Sequence, residues 1–252
     1  MLHRVIACLD VRGDRVVKGR RFVSLRDVGD PLALAQEYEA QGADEIVFLD
    51  ISATPEERAL LLDMARRTAE RLFIPLTIGG GIRSVEDAGL ALRSGADKIS
   101  INSAAVVRPA LLTECAERFG SQCVVASIDA RREAGGYRVV TRGGRTATTL
   151  DAIEWARDCV AHGAGEILLT SIDHDGGRTG YDLALTRAVA DTVPVPVIAS
   201  GGAGAPEDAC EAIRLGHADA ILVAGILHDH EVTIAQIKDA MARDGIAVRR
   251  VA

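Results

Sequence analysis

The sequence predicts an α/β fold, a closed (β/α)8 TIM barrel built from two repeated (β/α)4 halves. Eight short apolar runs rich in Val, Ile and Leu alternate with segments long enough for a helix, which is typical of parallel strands joined by helical crossovers. Aromatic residues make up only 3% of the 252 residues, so the core is aliphatic, as in strands buried on both faces. Because a closed barrel leaves no strand edge unpaired, we prefer it to an open doubly wound sheet, the structural alternative.

The predicted strands form two matching series. The intervals between strand starts are 41, 30 and 23 residues in the first half of the chain and 41, 30 and 24 in the second. Residue identities repeat as well, because the motif that begins at Gln41 (Gln-Gly-Ala-Asp-Glu-Ile) recurs at His162 as His-Gly-Ala-Gly-Glu-Ile. We therefore expect one domain over residues 1–252, with half-barrels over roughly 1–122 and 123–252. The strands are predicted to start near Arg4, Glu45, Pro75, Lys98, Val125, Glu166, Pro196 and Ala220.

Two of the connections differ from the others. After the first strand, residues 15–18 (Arg-Val-Val-Lys) predict one arm of a hairpin, and residues 138–141 (Arg-Val-Val-Thr) follow the fifth strand in the same way. Elsewhere the segments between strands show the 3.6-residue apolar spacing of helices. Two examples are residues 31–40 and 150–160, and Asp30 and Asp151, near the starts of these segments, are predicted to cap them.

Bulk properties exclude several classes of protein. A formal net charge of -7 provides no broad positive field for nucleic-acid phosphates. The five cysteines are odd in number and form no CxxC pair, which is typical of reduced cytoplasmic thiols. No apolar stretch approaches the roughly 18 residues of a membrane span. We predict a cytoplasmic protein with no cofactor. We also predict no metal site, since residues 228–231 (His-Asp-His-Glu) are better explained as the start of the last amphipathic helix.

Carboxylates end several predicted strands. In a β/α barrel the active site lies at the C-terminal ends of the strands. Asp10 ends the first strand and Asp129 the fifth, so the repeat places them on opposite sides of one pocket. Unequal burial can separate the pKa values of two aspartates and divide acid from base work. The alternative is that each carboxylate caps a helix or binds loop amides, but both precede long loops. We predict that Asp10 and Asp129 are the catalytic pair.

Glycine-rich turns follow the third and seventh strands, at residues 79–81 and 201–204. Backbone without Cβ atoms can approach an anion closely and direct N–H groups at it, helped by a helix N-terminus. A tight turn alone explains either run, but each is paired with the end of the next strand, at residues 102–103 and 224–225. The pairing predicts two phosphate sites on opposite sides of the barrel, with residues 176–177 joining the second. The substrate is therefore predicted to be a small bis-phosphorylated molecule.

The opposite rim carries four charges at strand starts, Arg4, Glu45, Lys98 and Glu166. Two charges of each sign can meet there. Spacing alone favours rim salt bridges, because charges at the bottom face of such barrels usually concern stability.

A set of motifs along the chain carries a family resemblance. From Arg4 to about Arg249 the chain resembles the cyclase subunits of imidazole glycerol phosphate synthase, in the histidine-biosynthesis family of half-barrel-duplicated β/α barrels. The most specific segments are Ile6-Ala-Cys-Leu-Asp10 with Arg15-Val-Val-Lys18-Gly, Phe48-Leu-Asp50-Ile, Gly79-Gly-Gly-Ile, Ile99-Ser-Ile-Asn102, Glu166-Ile-Leu-Leu-Thr-Ser-Ile-Asp173, Asp175-Gly and Ile198-Ala-Ser-Gly-Gly-Ala-Gly.

The resemblance implies a reaction and a partner. Ammonia would convert the phosphoribulosyl-formimino aminoimidazole carboxamide ribonucleotide into imidazole glycerol phosphate, with release of the aminoimidazole carboxamide ribonucleotide, a lyase reaction with ring closure. A glutaminase subunit would dock on the N-terminal barrel face, and the four rim charges would form the ring at the ammonia entrance. Asp10 and Asp129 would be catalytic, and Lys18 would lie on a mobile loop. The remaining implied substrate contacts are Asp50, Gly81, Asn102, Ser103, Thr170, Asp175, Gly176, Gly202, Ala224 and Gly225.

Two departures and two alternatives stay open. Gly225 stands where relatives often have Ser, so a hydroxyl donor to the second phosphate is absent, and residues 12–14 (Arg-Gly-Asp) depart from the usual order before Arg15. The sister phosphoribosyl isomerase shares both aspartates and both phosphate sites but uses no ammonia; the rim charges and Lys18 favour the cyclase. A non-catalytic scaffold subunit is disfavoured by the intact Asp10, Asp129 and glycine turns.

Overall fold

The computed structural model describes residues 2–20, 23–51 and 54–250. In chain order its strands are β1 (Arg4–Arg12), β2 (Arg15–Arg20), β3 (Val23–Gly29), β4 (Glu45–Asp50), β5 (Leu76–Gly79), β6 (Lys98–Ile101), β7 (Val124–Glu133), β8 (Gly136–Thr141), β9 (Thr146–Asp151), β10 (Glu166–Ser171), β11 (Val197–Ser200) and β12 (Ala220–Val223). The helices are α1 (Pro31–Ala40), α2 (Pro55–Ala69), α3 (Val85–Arg93), α4 (Ser103–Val107), α5 (Ala110–Phe119), α6 (Ala152–Ala161), α7 (Leu183–Ala190), α8 (Pro206–Arg214), α9 (Gly225–His228) and α10 (Ile234–Arg243).

The parallel strands close into a barrel. Their order around it is β1-β4-β5-β6-β7-β10-β11-β12, and β12 returns to pair with β1, with Ala7 opposite Val223. The two predicted halves meet where β6 pairs with β7 and again where β12 pairs with β1. This closure confirms the predicted (β/α)8 barrel and rules out the open sheet.

Antiparallel hairpins extend the first and fifth barrel strands, as the two unusual connections predicted. β2 pairs with the end of β1, where Val11 lies opposite Val16, and β3 pairs with β2. In the second half β8 pairs with the end of β7, where Asp129 lies opposite Val140, and β9 follows. The two excursions therefore have the same construction at equivalent strands.

The two predicted helix caps are present, and two helix starts differ from their predicted positions. Asp30 accepts a hydrogen bond from the N–H of Ala33 at 2.8 Å, and Asp151 accepts one from Ile153 at 3.0 Å. The helix predicted from residue 150 begins at 152, because residues 150–151 complete β9. Residues 228–231 do not start the last helix: α9 ends at residue 228 and α10 begins at 234.

Two apolar layers follow from the alternation of side chains along the strands. The larger layer lies between the strands and the helices. The smaller layer fills the barrel interior and contains Ile6, Cys8, Val47, Val125, Leu168, Ile198, Ala220 and Leu222. All five cysteines carry free thiols, and all but Cys123 are buried. Among the described residues no helix is long and apolar enough to cross a membrane.

Candidate active site

The two predicted catalytic carboxylates point into the barrel from opposite walls. On β1 the side chains of Ile6 and Cys8 fill the interior, and Asp10 continues the same face because alternate residues of a strand share one side. On β7 the interior residue Val125 places Asp129 in the same way. β1 and β7 are four strands apart in either direction around the barrel. The structure thus brings both side chains to the C-terminal end of one interior, as the repeat predicted.

Burial raises the pKa values of both carboxyl groups to near neutral pH. It raises the pKa of Asp10 to about 7, with a further upward contribution from the charge of Asp175. It also raises the pKa of Asp129 to about 6, where a hydrogen bond from Asn102 acts downward and Asp175 acts upward. Near pH 6 to 7 a protonated and an ionised carboxyl group therefore coexist in this pocket, which is the requirement for paired acid and base chemistry.

A third carboxyl group, Asp175, belongs to the same pocket. It follows β10, where its N–H donates to the carbonyl of Ser171 at 3.0 Å. Burial raises its pKa, and a hydrogen bond from the N–H of Gly176 opposes that rise. On β10 itself Thr170 pairs in register with Asp129 of β7. Asp173 lies outside this group, since it is exposed and accepts a hydrogen bond from the N–H of Arg132 at 2.7 Å.

The first glycine turn packs directly against the end of β4. Gly81 has a φ of 62°, a left-handed conformation that glycine adopts without cost. A Cβ atom at Gly81 would lie 2.0 Å from Nη1 of Arg58. Beside this turn, Asn102 and Ser103 begin α4, and the hydroxyl of Ser103 accepts a hydrogen bond from the N–H of Arg142 at 3.1 Å. The two segments that the sequence paired into the first phosphate site, 79–81 and 102–103, are neighbours because Gly79 of β5 pairs in register with Ser100 of β6.

Arg58 is a residue of this site that sequence reasoning missed. Its Nη1 donates to Oδ2 of Asp50 at 2.8 Å and to the carbonyl of Gly80 at 3.2 Å. The Asp50 side chain is only 3% exposed and that of Arg58 16%. Asp50, predicted as a substrate contact, is thus also part of a shielded ion pair that ties β4 to the first glycine turn. No motif marks Arg58 in the sequence, because its role depends on the direction in which α2 leaves β4.

One polar atom beside Asp129 has no hydrogen-bond partner among the described residues. Oδ1 of Asn102 is buried and makes no hydrogen bond within the described part of the chain. Because the side chain of Asn102 also forms a hydrogen bond with Asp129, Asn102 links the start of α4 to one of the two predicted catalytic carboxylates. A substrate donor at this point would satisfy the unpaired oxygen.

The second glycine turn packs against the loop after β10. Gly202 has a φ of 111°, and a Cβ atom there would lie 2.1 Å from the carbonyl of Gly180. The same pair forms a backbone hydrogen bond of 2.9 Å from Gly180 N–H to Gly202 O. Gly176 lies in the same loop, and nothing would obstruct a Cβ atom there within 4 Å. The loop that contains residues 176–177 thus lies beside the second glycine turn, and these residues are predicted to form the second phosphate site together with Ala224 and Gly225.

Lys18 lies at the edge of this second site. Its Nζ donates to the carbonyl of Gly225 at 3.0 Å and forms an ion pair with Asp229. A Cβ atom on Gly225 would lie 3.3 Å from the same Nζ. The ammonium group thus lies beside Gly225, in the space that a larger residue at this position would enter.

Comparison with known proteins decides the family. Residues 4–233 match the family described as Histidine biosynthesis protein. The chain is also 64% identical over 249 residues to Imidazole glycerol phosphate synthase subunit HisF of Myxococcus xanthus (strain DK1622), an alignment that covers 99% of this chain and 98% of that protein. The chain belongs to the HisF family of histidine biosynthesis proteins. The resemblance identified from the motifs is confirmed.

At the other end of this HisF-family barrel the four predicted rim charges form a closed ring. Nζ of Lys98 lies 2.8 Å from Oε2 of Glu45 and 2.8 Å from Oε2 of Glu166. Arg4 lies opposite, 3.2 Å from Oε2 of Glu45 and in contact with Glu166. Burial alone would lower the pKa of Lys98, but the two glutamates raise it, so its charge persists. Beside the ring lies a cavity of about 370 Å³, lined in part by Leu2.

No metal site is formed within residues 2–20, 23–51 and 54–250, where no group of three or more His, Cys, Asp or Glu side chains could hold an ion. His228 instead packs against Tyr38, whose hydroxyl lies 2.7 Å from its Nδ1. Burial lowers the pKa of His228 to about 4, so the ring is neutral at physiological pH.

Proposed function

We propose that this chain is the cyclase subunit of imidazole glycerol phosphate synthase, a lyase. It uses ammonia to convert the phosphoribulosyl-formimino aminoimidazole carboxamide ribonucleotide into imidazole glycerol phosphate and the aminoimidazole carboxamide ribonucleotide. The observation that carries this proposal is the pair Asp10 and Asp129, facing each other with pKa values of about 7 and about 6. The name of the 64% identical relative supports the same conclusion.

The two aspartates supply the proton transfers. Attack of ammonia on a carbonyl and loss of water need a proton donor to the oxygen, and expulsion of the leaving amine needs another donation. An ionised carboxylate removes the protons that the attacking nitrogens lose. Because the charge of Asp175 raises the pKa of both carboxyl groups, neither titrates independently of it, and we assign the two roles to the pair and not to either residue alone.

The substrate spans the pocket between the two glycine turns. One phosphate binds at Gly81, Asn102 and Ser103. The other binds between Gly176, in the loop after β10, Gly202, in the turn after β11, and the start of α9. Backbone N–H groups at turns and helix starts suit phosphate oxygens at both ends. Lys18 adds a positive charge at the second end. With its two phosphates held at these ends, the substrate has its reacting atoms in the barrel interior, near Asp10 and Asp129.

A glutaminase subunit is the proposed source of ammonia. We place its docking surface on the N-terminal face, where the ring of Arg4, Glu45, Lys98 and Glu166 surrounds the barrel entrance. Phe73 is 94% exposed and Leu2 57%, and both precede strands, so they add apolar area to that face. Above the ring the interior layer is apolar, which suits the passage of uncharged ammonia better than that of ammonium. The free thiols agree with the proposed cytoplasmic location.

Side-by-side assays of two substrates test the reaction. Purified protein with an ammonium salt at high pH should consume the ribulosyl substrate, and Asp129→Asn should not. Isomerisation of the ribosyl precursor would instead identify the sister isomerase, and inactivity with both substrates would favour a scaffold subunit.

A second experiment tests the partner. Glutamine should replace ammonium only when a glutaminase subunit is added. Glutamine-dependent turnover by this chain alone would contradict the proposed division of labour between two subunits.

A further inference from the structure

Three cationic side chains from separate parts of the chain meet at one carboxylate, Asp229. Lys18 reaches it from β2, Arg26 from β3, and Arg178 from the loop after β10. Glu231 takes a second hydrogen bond from Arg178 at 2.6 Å. Both strands of the first hairpin, β2 and β3, thus form an ion pair with the same carboxylate.

The position of Asp229 is fixed relative to the second phosphate turn. Its N–H donates to the carbonyl of Gly225 at 3.1 Å, one turn along α9. The same carbonyl accepts from Nζ of Lys18 at 3.0 Å. Asp229 therefore holds the ammonium of Lys18 against the residue that begins α9, where the second phosphate is proposed to bind.

Partial shielding strengthens this arrangement. The Asp229 side chain is 20% exposed and that of Lys18 22%, so their attraction is screened less than that of a fully exposed pair. Burial alone would raise the pKa of Asp229. The three neighbouring cations, Lys18, Arg178 and Arg26, outweigh this effect and lower the pKa to about 2. Asp229 therefore stays ionised at every pH at which the protein would work.

We propose that Asp229 is a positioning residue that latches the first hairpin and presents Lys18 to the second phosphate of the substrate. This inference rests on the proposed function, because it concerns the same pocket. Without the carboxylate, the long side chain of Lys18 and the hairpin that carries it lose their anchor. Both must then become ordered when the substrate binds. The entropy cost of this ordering weakens substrate binding but does not alter the proton transfers at the catalytic pair.

The experiment compares Asp229→Asn with the control Glu231→Gln, which removes a neighbouring carboxylate that contacts Arg178 but not Lys18. Asp229→Asn should raise KM for the ribulosyl substrate about tenfold and leave kcat within about twofold. Glu231→Gln should change neither by more than about twofold. Asp229→Glu, which keeps the charge, should recover most of the affinity.

Limited trypsin digestion provides a readout that does not depend on activity. Cleavage after Lys18 should be several times faster in Asp229→Asn than in wild type, and unchanged in Glu231→Gln. Arg26→Met, which removes one tether and leaves Asp229 intact, should accelerate the same cleavage to a smaller extent and covers the case in which Asp229→Asn does not fold.

Unchanged or lowered KM in Asp229→Asn would overturn the inference, since a lowered KM would make the carboxylate a competitor of the phosphate. Equal cleavage rates in wild type, Asp229→Asn and Arg26→Met would overturn the latch. A wild-type protein that lacks cyclase activity but shows the expected cleavage pattern would refute the proposed function and leave the latch standing.

Discussion

Replacing Asp10 by Asn removes a carboxylate that burial makes costly to ionise. The pKa of Asp10 is about 7 in the folded protein, against about 3.9 for an unperturbed aspartate. Between these values the folded state binds more protons than the unfolded state, so this group lowers stability as pH rises. At about 1.4 kcal/mol per pKa unit, the two values give a loss of about 2.5 kcal/mol between pH 5 and pH 8. Asp10→Asn lacks this loss.

The measurable quantity is the difference in unfolding free energy between Asp10→Asn and wild type. Urea denaturation at pH 5 and pH 8 should show that this difference shifts in favour of the variant by about 2 to 3 kcal/mol at the higher pH. Any fixed cost of burying the amide cancels, because it is the same at both pH values. The variant should have no cyclase activity, so stability and function oppose each other at this site.

Asp63→Asn is a matched control, since Asp63 is an exposed carboxylate on α2 paired with Arg66. Its effect on stability should change by less than about 0.5 kcal/mol over the same range. A stability difference between Asp10→Asn and wild type that stays constant from pH 5 to pH 8, or that moves the other way, would refute the assignment of a raised pKa to Asp10.

Three further predictions concern the pair, the first phosphate turn and the ring. At constant free ammonia, kcat/KM should be bell-shaped with limbs near pH 6 and pH 7, the pKa values of Asp129 and Asp10, and a flat profile from pH 5 to 8 would contradict this. Arg58→Met should destabilise the protein by about 3 kcal/mol in urea denaturation, because it removes one partner of an ion pair in which the carboxylate is only 3% exposed. Arg66→Met on the same helix removes only exposed ion pairs and should cost less than about 1 kcal/mol; equal costs would show that the Arg58 pair is not special. Lys98→Met should reduce glutamine-dependent turnover of the two-subunit enzyme more than ammonium-dependent turnover, and equal losses in both assays would argue against a role for the ring in ammonia entry.

The barrel and its duplication could be predicted because they depend on local patterns. Buried strands need runs of aliphatic residues, and the repeat appears directly in the strand spacing. Strand ends also identify pocket residues, since all parallel strands present their C-terminal ends to one side. For that reason the sequence predicts that Asp10, Asp129 and both glycine turns lie at one end of the barrel. The boundary between the half-barrels and the single-domain assignment stay predictions.

Contacts between distant residues could not be predicted in the same way. Lys18 and Asp229 are 211 positions apart, and nothing local to either residue indicates the other. The pairing of Arg58 with Asp50 depends on the direction of α2, and the contact between Tyr38 and His228 joins residues 190 positions apart.

The sequence by itself determined the fold class, the family and the strand ends at which the chemistry is predicted, because alternation, spacing and motifs are properties of short segments. Only the tertiary structure decided which charges are shielded and which side chains meet. Burial depends on every element packed around a group, so the pKa values of Asp10 and Asp129, near neutrality instead of near 4, are properties of the closed barrel and not of either residue.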